Sequence, residues 1–203
     1  MFLNNYAVDL SIEQLVEHAQ EALYPLQLQL NTKGEANQII NHLQIKERWL
    51  KDYKPKLLQY YKSDLANDVL LKLDNFLTNV NHYFSTLHKN LSFNLLLFPI
   101  YRTYHSPITE GLKIYFAPIY AFISYDVTVT LEKELSKSGK IFIRLQGNEP
   151  ETALNIHQQK GTINLLYKLD KHTHEIFSIT GFATTFNKNI PYKIDFELYE
   201  LQN

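Results

Sequence analysis

A change in the spacing of apolar residues at Pro99 constrains the fold more than any other feature of this 203-residue sequence. Before Pro99 the apolar residues recur at intervals typical of helices, whereas after it they form the short or alternating runs typical of strands. Helical and strand signals in separate parts of a chain indicate an α+β fold. We therefore predict an antiparallel helical bundle of three main helices over 1–98. An antiparallel β-sheet or sandwich of five or six strands, over 99–203, is expected to pack against it.

The first two helices are predicted over 10–30 and 35–52, separated by a turn at NTKGE that contains Gly34. Pro25 lies inside the first of these segments, so we expect a kink or break near Leu23–Tyr24. On the second helix, Ala36, Ile40, Leu43 and Leu50 are expected to lie on one side.

A third helix is predicted to follow Ser63, which can cap its first turn. Before it, Pro55 disfavours helical geometry at Lys54, so the second helix is expected to break there. The third helix carries the most regular apolar series of the chain, a narrow seam for packing against other helices: Val69, Leu73, Phe76, Val80, Tyr83 and Leu87.

Six segments after Pro99 have the apolar pattern of strands: 112–121, 123–131, 140–146, 162–169, 175–186 and 192–199. In the last segment Ile194, Phe196 and Leu198 alternate with charged residues, which predicts one buried and one solvated face. Pro118 makes the end of the first segment an edge or an irregular stretch.

The composition excludes several classes of site. There are no cysteines, so disulfides, thiolate metal ligands and cysteine nucleophiles are impossible, and a reducing cytoplasmic location is expected. The net charge of −1 predicts no general attraction to nucleic acid or anionic membranes. The most apolar run, 91–101, is too short to span a bilayer. No glycine-rich phosphate loop or nucleophile motif occurs, so we predict no catalytic residues and no cofactor.

A basic and aromatic stretch at 45–62 is a candidate surface for an anionic partner. Cations that bind phosphates, interleaved with aromatic rings that stack on bases, are typical of single-stranded nucleic-acid sites. Residues 1–30 hold acidic but no basic residues, and charge pairing between the first two helices is the favoured alternative. The candidate residues are Arg48, Lys51, Lys54, Lys56, Trp49 and Tyr53.

The segment KHTHE at 171–175 allows two interpretations. If it is extended, His172 and His174 share one face and form half of a metal site. If it is a hairpin tip, Asp170 begins the turn and His174, or Thr173, takes left-handed backbone geometry. The strand-like runs on both sides favour the tip, so we predict exposed histidines and no metal site.

Phenylalanine and tyrosine are concentrated at 93–105 and 114–125, where the helical signal gives way to the strand signal. Core packing is the favoured use of most of these rings. The candidates for contact with a partner or a ligand are Tyr101, Arg102, Tyr104 and His105.

These features favour a non-enzymatic interaction or structural protein that binds a protein partner. Such a protein is plausible as a subunit of a larger assembly; a bacterial or phage secretion or injection apparatus is one setting, by analogy only. The alternative is a small-ligand-binding protein or an enzyme, with a pocket between the helical and β halves. The third hypothesis is nucleic-acid binding through 45–62.

Overall fold

The computed structural model describes residues 11–132, 139–151 and 159–200, and the chain divides into two compact units. The first unit contains the described residues up to Asn31 and those from Glu35 to Leu87. The second contains Thr32–Gly34 and the described residues from His88 onward. The described helices lie mainly in the first unit and a six-stranded antiparallel sheet lies in the second, which confirms the α+β class.

Five helices and one hairpin make up the described part of the first unit. A turn of 3-10 helix, Glu21–Leu23, ends α1, and a π-turn, Trp49–Tyr53, joins α2 to α3. The elements are α1 (Ser11–Gln20), β1 (Leu28–Leu30), β2 (Ala36–Ile39), α2 (His42–Arg48), α3 (Lys54–Tyr60), α4 (Asp64–Thr78) and α5 (Val80–Thr86).

The hairpin corrects the prediction of two helices over 10–30 and 35–52. The break near Leu23–Tyr24 is confirmed, but residues 28–39 form β1 and β2 instead of helix. The buried Asn41 stabilises this arrangement: its Oδ1 accepts from the Gln27 N–H (3.0 Å) and its Nδ2 donates to the Pro25 carbonyl (2.7 Å). These bonds span 14 and 16 residues, so apolar spacing does not reveal them. Residue 10, where the first helix was predicted to begin, lies outside the described residues.

The break predicted at Lys54 is also wrong, because the helical run continues from His42 to Tyr60. Proline lacks an N–H, and its ring clashes with the carbonyl four residues earlier in an α-helix. The π-turn at Trp49–Tyr53 directly precedes Pro55, which lies in the first turn of α3. The π-turn contains one residue more than a turn of α-helix, and this extra residue allows the helical run to continue past Pro55.

The third predicted helix is confirmed at its start, where Ser63 Oγ accepts from the Ala66 N–H at 3.2 Å. It ends earlier than the apolar seam predicts. Asn79 has φ −108° and ψ 97°, which stops α4, and its side chain caps α5 by accepting from the His82 N–H at 3.2 Å. The buried side chains of α4 are Ala66, Leu70 and Leu77, whereas Val69, Leu73, Phe76 and Val80 of the seam are only half-buried.

The second unit contains a helix, α6 (Leu91–Leu96), and six antiparallel strands that pair in chain order. All six predicted strands are confirmed, and Pro118 lies in the short 3-10 turn between the first two. The strands are β3 (Ile108–Phe116), β4 (Ala121–Leu131), β5 (Lys140–Asn148), β6 (Thr162–Asp170), β7 (Ile176–Asn187) and β8 (Ile190–Tyr199).

One face of this sheet forms a continuous core with α6. Alternate residues along each strand are buried, as in Tyr125, Val127 and Val129 of β4. Two buried tyrosines donate hydrogen bonds from their hydroxyls to backbone carbonyls. Tyr167 donates to the Leu95 carbonyl of α6 at 2.9 Å, and Tyr125 donates to the Thr184 carbonyl of β7 at 2.7 Å. Burial raises the pKa of both phenols, so they remain protonated donors. Because Tyr125 lies on β4, its bond to β7 shows that the sheet is strongly curved.

At Gly147 of β5, the neighbouring strand β4 lies too close to leave room for a side chain. A Cβ at this position would overlap the carbonyl oxygen of Asp126 on the neighbouring strand, whereas a Cβ at Gly111 of β3 would meet nothing within 4 Å. The absence of a side chain at 147 is therefore a steric requirement, which does not apply at 111.

We expect Gly147→Ala to lower the free energy of unfolding by about 2 kcal/mol or more, because the methyl group forces β4 and β5 apart. Gly111→Ala is the matched control and should be neutral or slightly stabilising. Urea denaturation of both variants measures the difference. Equal stability of the two variants would contradict the steric explanation.

Candidate functional site

The aromatic and basic candidates at 101–105 lie between α6 and β3, and two of them stabilise the local backbone. Arg102 donates through Nε to the Pro99 carbonyl (2.7 Å) and through Nη1 to Glu110 Oε1 (2.5 Å). Tyr104 donates its hydroxyl to the Ile100 carbonyl at 2.6 Å. Both side chains are therefore occupied in shaping this segment.

Tyr101 and His105 differ from these two in their surroundings. Tyr101 is half-buried, and burial raises the pKa of its phenol. Its ring lies against Gly34, where a Cβ would come within 2.6 Å of Tyr101 Cδ2. Of the four candidates at 101–105, only His105 is exposed, and the other three are half-buried.

In the basic stretch 45–62, Trp49 and Lys54 meet at one carboxylate. Trp49 is fully buried, and its indole N–H donates to Asp74 Oδ1 of α4 at 2.8 Å. The ammonium group of Lys54 contacts the same oxygen at 2.9 Å. Burial raises the pKa of Asp74, but the hydrogen bonds from Lys54 and Trp49 outweigh it and hold the pKa below its ordinary value. The ring of Trp49 is thus a core element and is not exposed for stacking on a base.

The remaining cations of this stretch are paired to different extents. Arg48 donates to the carbonyls of Ala22 (3.1 Å) and Pro25 (3.3 Å). Its guanidinium group therefore caps the end of the first helical segment. Lys51 pairs with Glu47 one helical turn away. Lys56 is exposed and Tyr53 is half-buried. Arg48 thus contacts backbone carbonyls and Lys54 contacts Asp74 of α4. The sequence interpretation had instead favoured pairing of these cations with the acidic residues of the first helix.

The segment KHTHE is the tip of the hairpin between β6 and β7, as predicted. Asp170 Oδ1 accepts from the backbone N–H groups of His172 (2.8 Å) and Thr173 (3.1 Å), and its Oδ2 accepts from Lys140 Nζ (3.0 Å). These bonds hold the pKa of Asp170 well below its usual range. His174 has φ +61°, the left-handed geometry expected for it, and both histidines are exposed.

Among the residues that the structure describes, no three His, Asp or Glu side chains are grouped in a way that could hold a metal ion. His157, a possible third partner for the two hairpin histidines, lies outside the described residues. Within the described ranges, no helix is both long enough and apolar enough to cross a bilayer.

An exposed row of leucines on the helical run 42–60 is the first surface that the sequence interpretation missed. Leu43, Leu50 and Leu58 are 69%, 41% and 44% exposed, respectively. The sequence interpretation grouped Leu43 and Leu50 on one side of a helix with Ile40, which is 58% exposed. The core-facing residues of the run are instead Ile45, Trp49 and Leu57.

A second surface is a shallow concavity of about 370 Å³ on the outer face of the sheet. Its walls come from β4, β5, β6 and β7, and all of its residues belong to the second unit. The sequence contains one indication of it: the outward positions of these strands change locally from charged residues to amides and hydroxyls, as at Gln146, Asn148 and Asn164.

No protein-family model matches this sequence, and comparisons with curated proteins and with solved structures give no significant match. Function is therefore argued from the chemistry of these surfaces.

We expect Asp74→Asn to destabilise the protein at neutral pH by about 1–2 kcal/mol, because Lys54 and Trp49 lose a charged partner. Asp74 has a folded-state pKa below its ordinary value of 3.8, so its contribution is complete above that value and is lost as the pH falls through the folded-state pKa. The stability difference between wild type and variant at neutral pH should therefore shrink at a pH well below 3.8. Urea denaturation at the two pH values tests this, with Asp68→Asn on the exposed side of α4 as the control. A difference that is independent of pH would contradict the charge assignment.

At the hairpin tip, we expect His174→Gly to raise the free energy of unfolding by about 0.5–1 kcal/mol, because glycine adopts positive φ without steric cost. His174→Val should lower it by a similar amount or more, since β-branched residues are strained in that geometry. The control is His172→Gly, at a position with ordinary φ, where glycine should only destabilise. Thermal unfolding of the three variants gives the order of their stabilities. If His172→Gly also stabilised the protein, the assignment of His174 as the strained residue would be wrong.

Proposed function

We propose that this protein is a non-enzymatic interaction protein that binds an acidic amphipathic helix of a partner protein through the helical run 42–60. The observation that carries the proposal is the exposed row Leu43, Leu50 and Leu58, hereafter the leucine stripe. A subunit of a larger protein assembly would use such a surface to dock on its neighbour.

The π-turn is what brings the three leucines into one row. Leu43 and Leu50 are seven residues apart, close to two turns of α-helix, so they lie on the same face. Leu50 and Leu58 are eight residues apart, which in a regular α-helix would rotate Leu58 away from that face. The π-turn Trp49–Tyr53 takes up one extra residue, so the interval again corresponds to about two turns.

The flanks of the stripe favour a partner with negative charge. Residues 42–60 hold five cations and two carboxylates. Lys46 is exposed and lies three residues after Leu43 and four before Leu50, so it flanks the stripe; Lys56 is exposed elsewhere on the run. A carboxylate beside an apolar helix face would complement Lys46, as paired charges do beside coiled-coil seams. A second copy of the same run would bring like charges together, which disfavours self-association through this surface.

Nucleic acid is a weaker fit to the same run. Its only tryptophan is buried, and Lys54 and Arg48 are held by Asp74 and by backbone carbonyls. Contact with phosphates or base edges would not bury the exposed leucines, whereas docking against the apolar face of an amphipathic helix would.

The test begins with proteins that co-purify with the tagged chain from its native cells. Any candidate partner is then purified and its affinity measured directly by isothermal titration calorimetry. The triple variant Leu43→Ser/Leu50→Ser/Leu58→Ser should weaken binding at least about tenfold, because it removes the apolar contact area. The matched control is Leu65→Ser/Leu71→Ser, which changes two leucines of α4 that are 62% and 63% exposed. It should leave the affinity unchanged.

A second measurement separates charge from apolar contact. Lys46→Glu/Lys56→Glu should slow association and reduce its dependence on salt concentration. Hydrogen exchange of the complex should show protection at 42–60 and in a segment of the partner that carries both apolar and acidic residues. Wild-type affinity in the stripe variant, or protection confined to other parts of the chain, would overturn the proposal.

A further inference from the structure

The concavity on the outer face of the sheet is built from two adjacent rows of side chains that run across the strands. Strand register places Thr128, Gln146, Asn164 and Phe182 directly opposite one another on β4, β5, β6 and β7. The same register aligns Asp126 and Asn148 in the next row. Neighbouring strands are about 4.8 Å apart, so the first row extends over about 14 Å and presents a polar group on three of its four strands.

These two rows differ in composition from the rest of the outer face. The next outward row along the strands contains Arg144, which pairs with Glu132 at 2.7 Å. Among the described residues that line the concavity, Asp126 alone has an ionic side chain. Lys193 on β8 is paired with Asp195 at 2.7 Å and lies 5.5 Å from the Phe182 ring centre. The outward face therefore changes locally from an ion pair to amides and hydroxyls.

The hydrogen-bonding capacity of this patch is largely unused within the described residues. No side-chain hydrogen bond joins Asp126, Gln146, Asn148 or Asn164 to another described residue. By contrast, Thr162 at the margin of the concavity is bonded to the Thr184 hydroxyl at 3.1 Å. The three amides offer donors and acceptors side by side, and Asp126 offers acceptors only.

Several ligand classes do not fit this set of groups. A phosphate or another anion needs cations or converging backbone N–H groups, and the described lining residues include no Lys or Arg. A divalent cation needs several converging carboxylates, and the described lining offers one. An apolar ligand needs an enclosed apolar pocket, and this concavity is open and mixed in polarity.

We propose that this concavity is a binding site for a neutral saccharide. Each sugar hydroxyl is both a donor and an acceptor, so it matches side-chain amides arranged in rows, with Asp126 accepting from one hydroxyl. The ring of Phe182, at the β7 end of its row, offers an apolar face to the C–H groups of a pyranose ring. The volume lies within the usual range of small-molecule sites, about 300–1,000 Å³. Because the site is shallow, it leaves much of the ligand solvated and binds weakly, with dissociation constants near the millimolar range.

This inference does not rest on the leucine stripe. All lining residues belong to the second unit and the stripe belongs to the first, so either proposal can fail without the other.

The experiment is a ¹H–¹⁵N NMR titration of the full chain with a panel of neutral mono- and oligosaccharides. The panel includes glucosides, galactosides, mannosides and N-acetylhexosamines, each at concentrations up to about 50 mM, which detects millimolar affinities. At least one sugar should shift the side-chain amide signals of Gln146, Asn148 and Asn164 in a saturable manner. The variant Gln146→Ala/Asn148→Ala should weaken that binding at least about tenfold. Both residues are exposed, so the variant should keep the wild-type unfolding midpoint.

Phe182→Ala tests the stacking face, and Phe186→Ala is its matched control. Phe186 lies four residues further along β7, on the same outward face, and it does not line the concavity. Loss of affinity in the first variant but not in the second supports the site. The proposal is overturned if no neutral sugar shifts these amides, if sugar binding is unaffected by Gln146→Ala/Asn148→Ala, or if only charged compounds bind there.

Discussion

The two-residue period of the strands is the constraint on which the second unit depends. Each strand from β3 to β8 directs one set of alternating side chains into a single core, and the opposite set must then face outward. Sequential antiparallel pairing brings residues of different strands into register, so the same period that builds the core also builds rows on the outer face. The register that places Leu145 and Leu165 in the core therefore also aligns Gln146 with Asn164. A slip of one residue would exchange the two faces, which ties the proposed saccharide site to the stability of the fold.

In the first unit, polar contacts between residues far apart in the sequence determine which side chains face the core, as the strand period does in the second unit. Asn41 fixes the chain after Pro25, and Asp74 fixes the helical run through Trp49 and Lys54. Buried or half-buried polar groups of this kind specify one arrangement, because an alternative packing leaves a donor or acceptor unsatisfied. The orientation of the run follows from the buried indole: once Trp49 points to Asp74, Leu43 and Leu50 must face away from the core.

This difference explains which parts of the fold the sequence could predict. The strands were found because their signal is local and repeats within each segment, so neither distant contacts nor exact boundaries were needed. The hairpin tip was found for a similar reason, since Asp170 and His174 act through bonds and geometry within five residues. The hairpin at 28–39 was missed because Asn41 holds it across a long interval. The continuous run past Pro55 was missed because a π-turn has no signal in apolar spacing.

The candidate sites follow the same logic. Aromatic and basic residues indicate interaction surfaces only when their polar groups are free, and Arg102 and Tyr104 bond to the backbone of their own segment. Conversely, apolar residues at helical spacing were interpreted as core, although spacing alone does not show which face of a helix is covered. The two proposed surfaces thus arise from opposite departures from the expected pattern. The leucine stripe is apolar where a helix should be polar, and the concave face carries amides, hydroxyls and one carboxylate where the next outward row carries an ion pair. The chemistry of each surface is the basis of its proposed ligand class: an acidic amphipathic helix for the first and a neutral saccharide for the second.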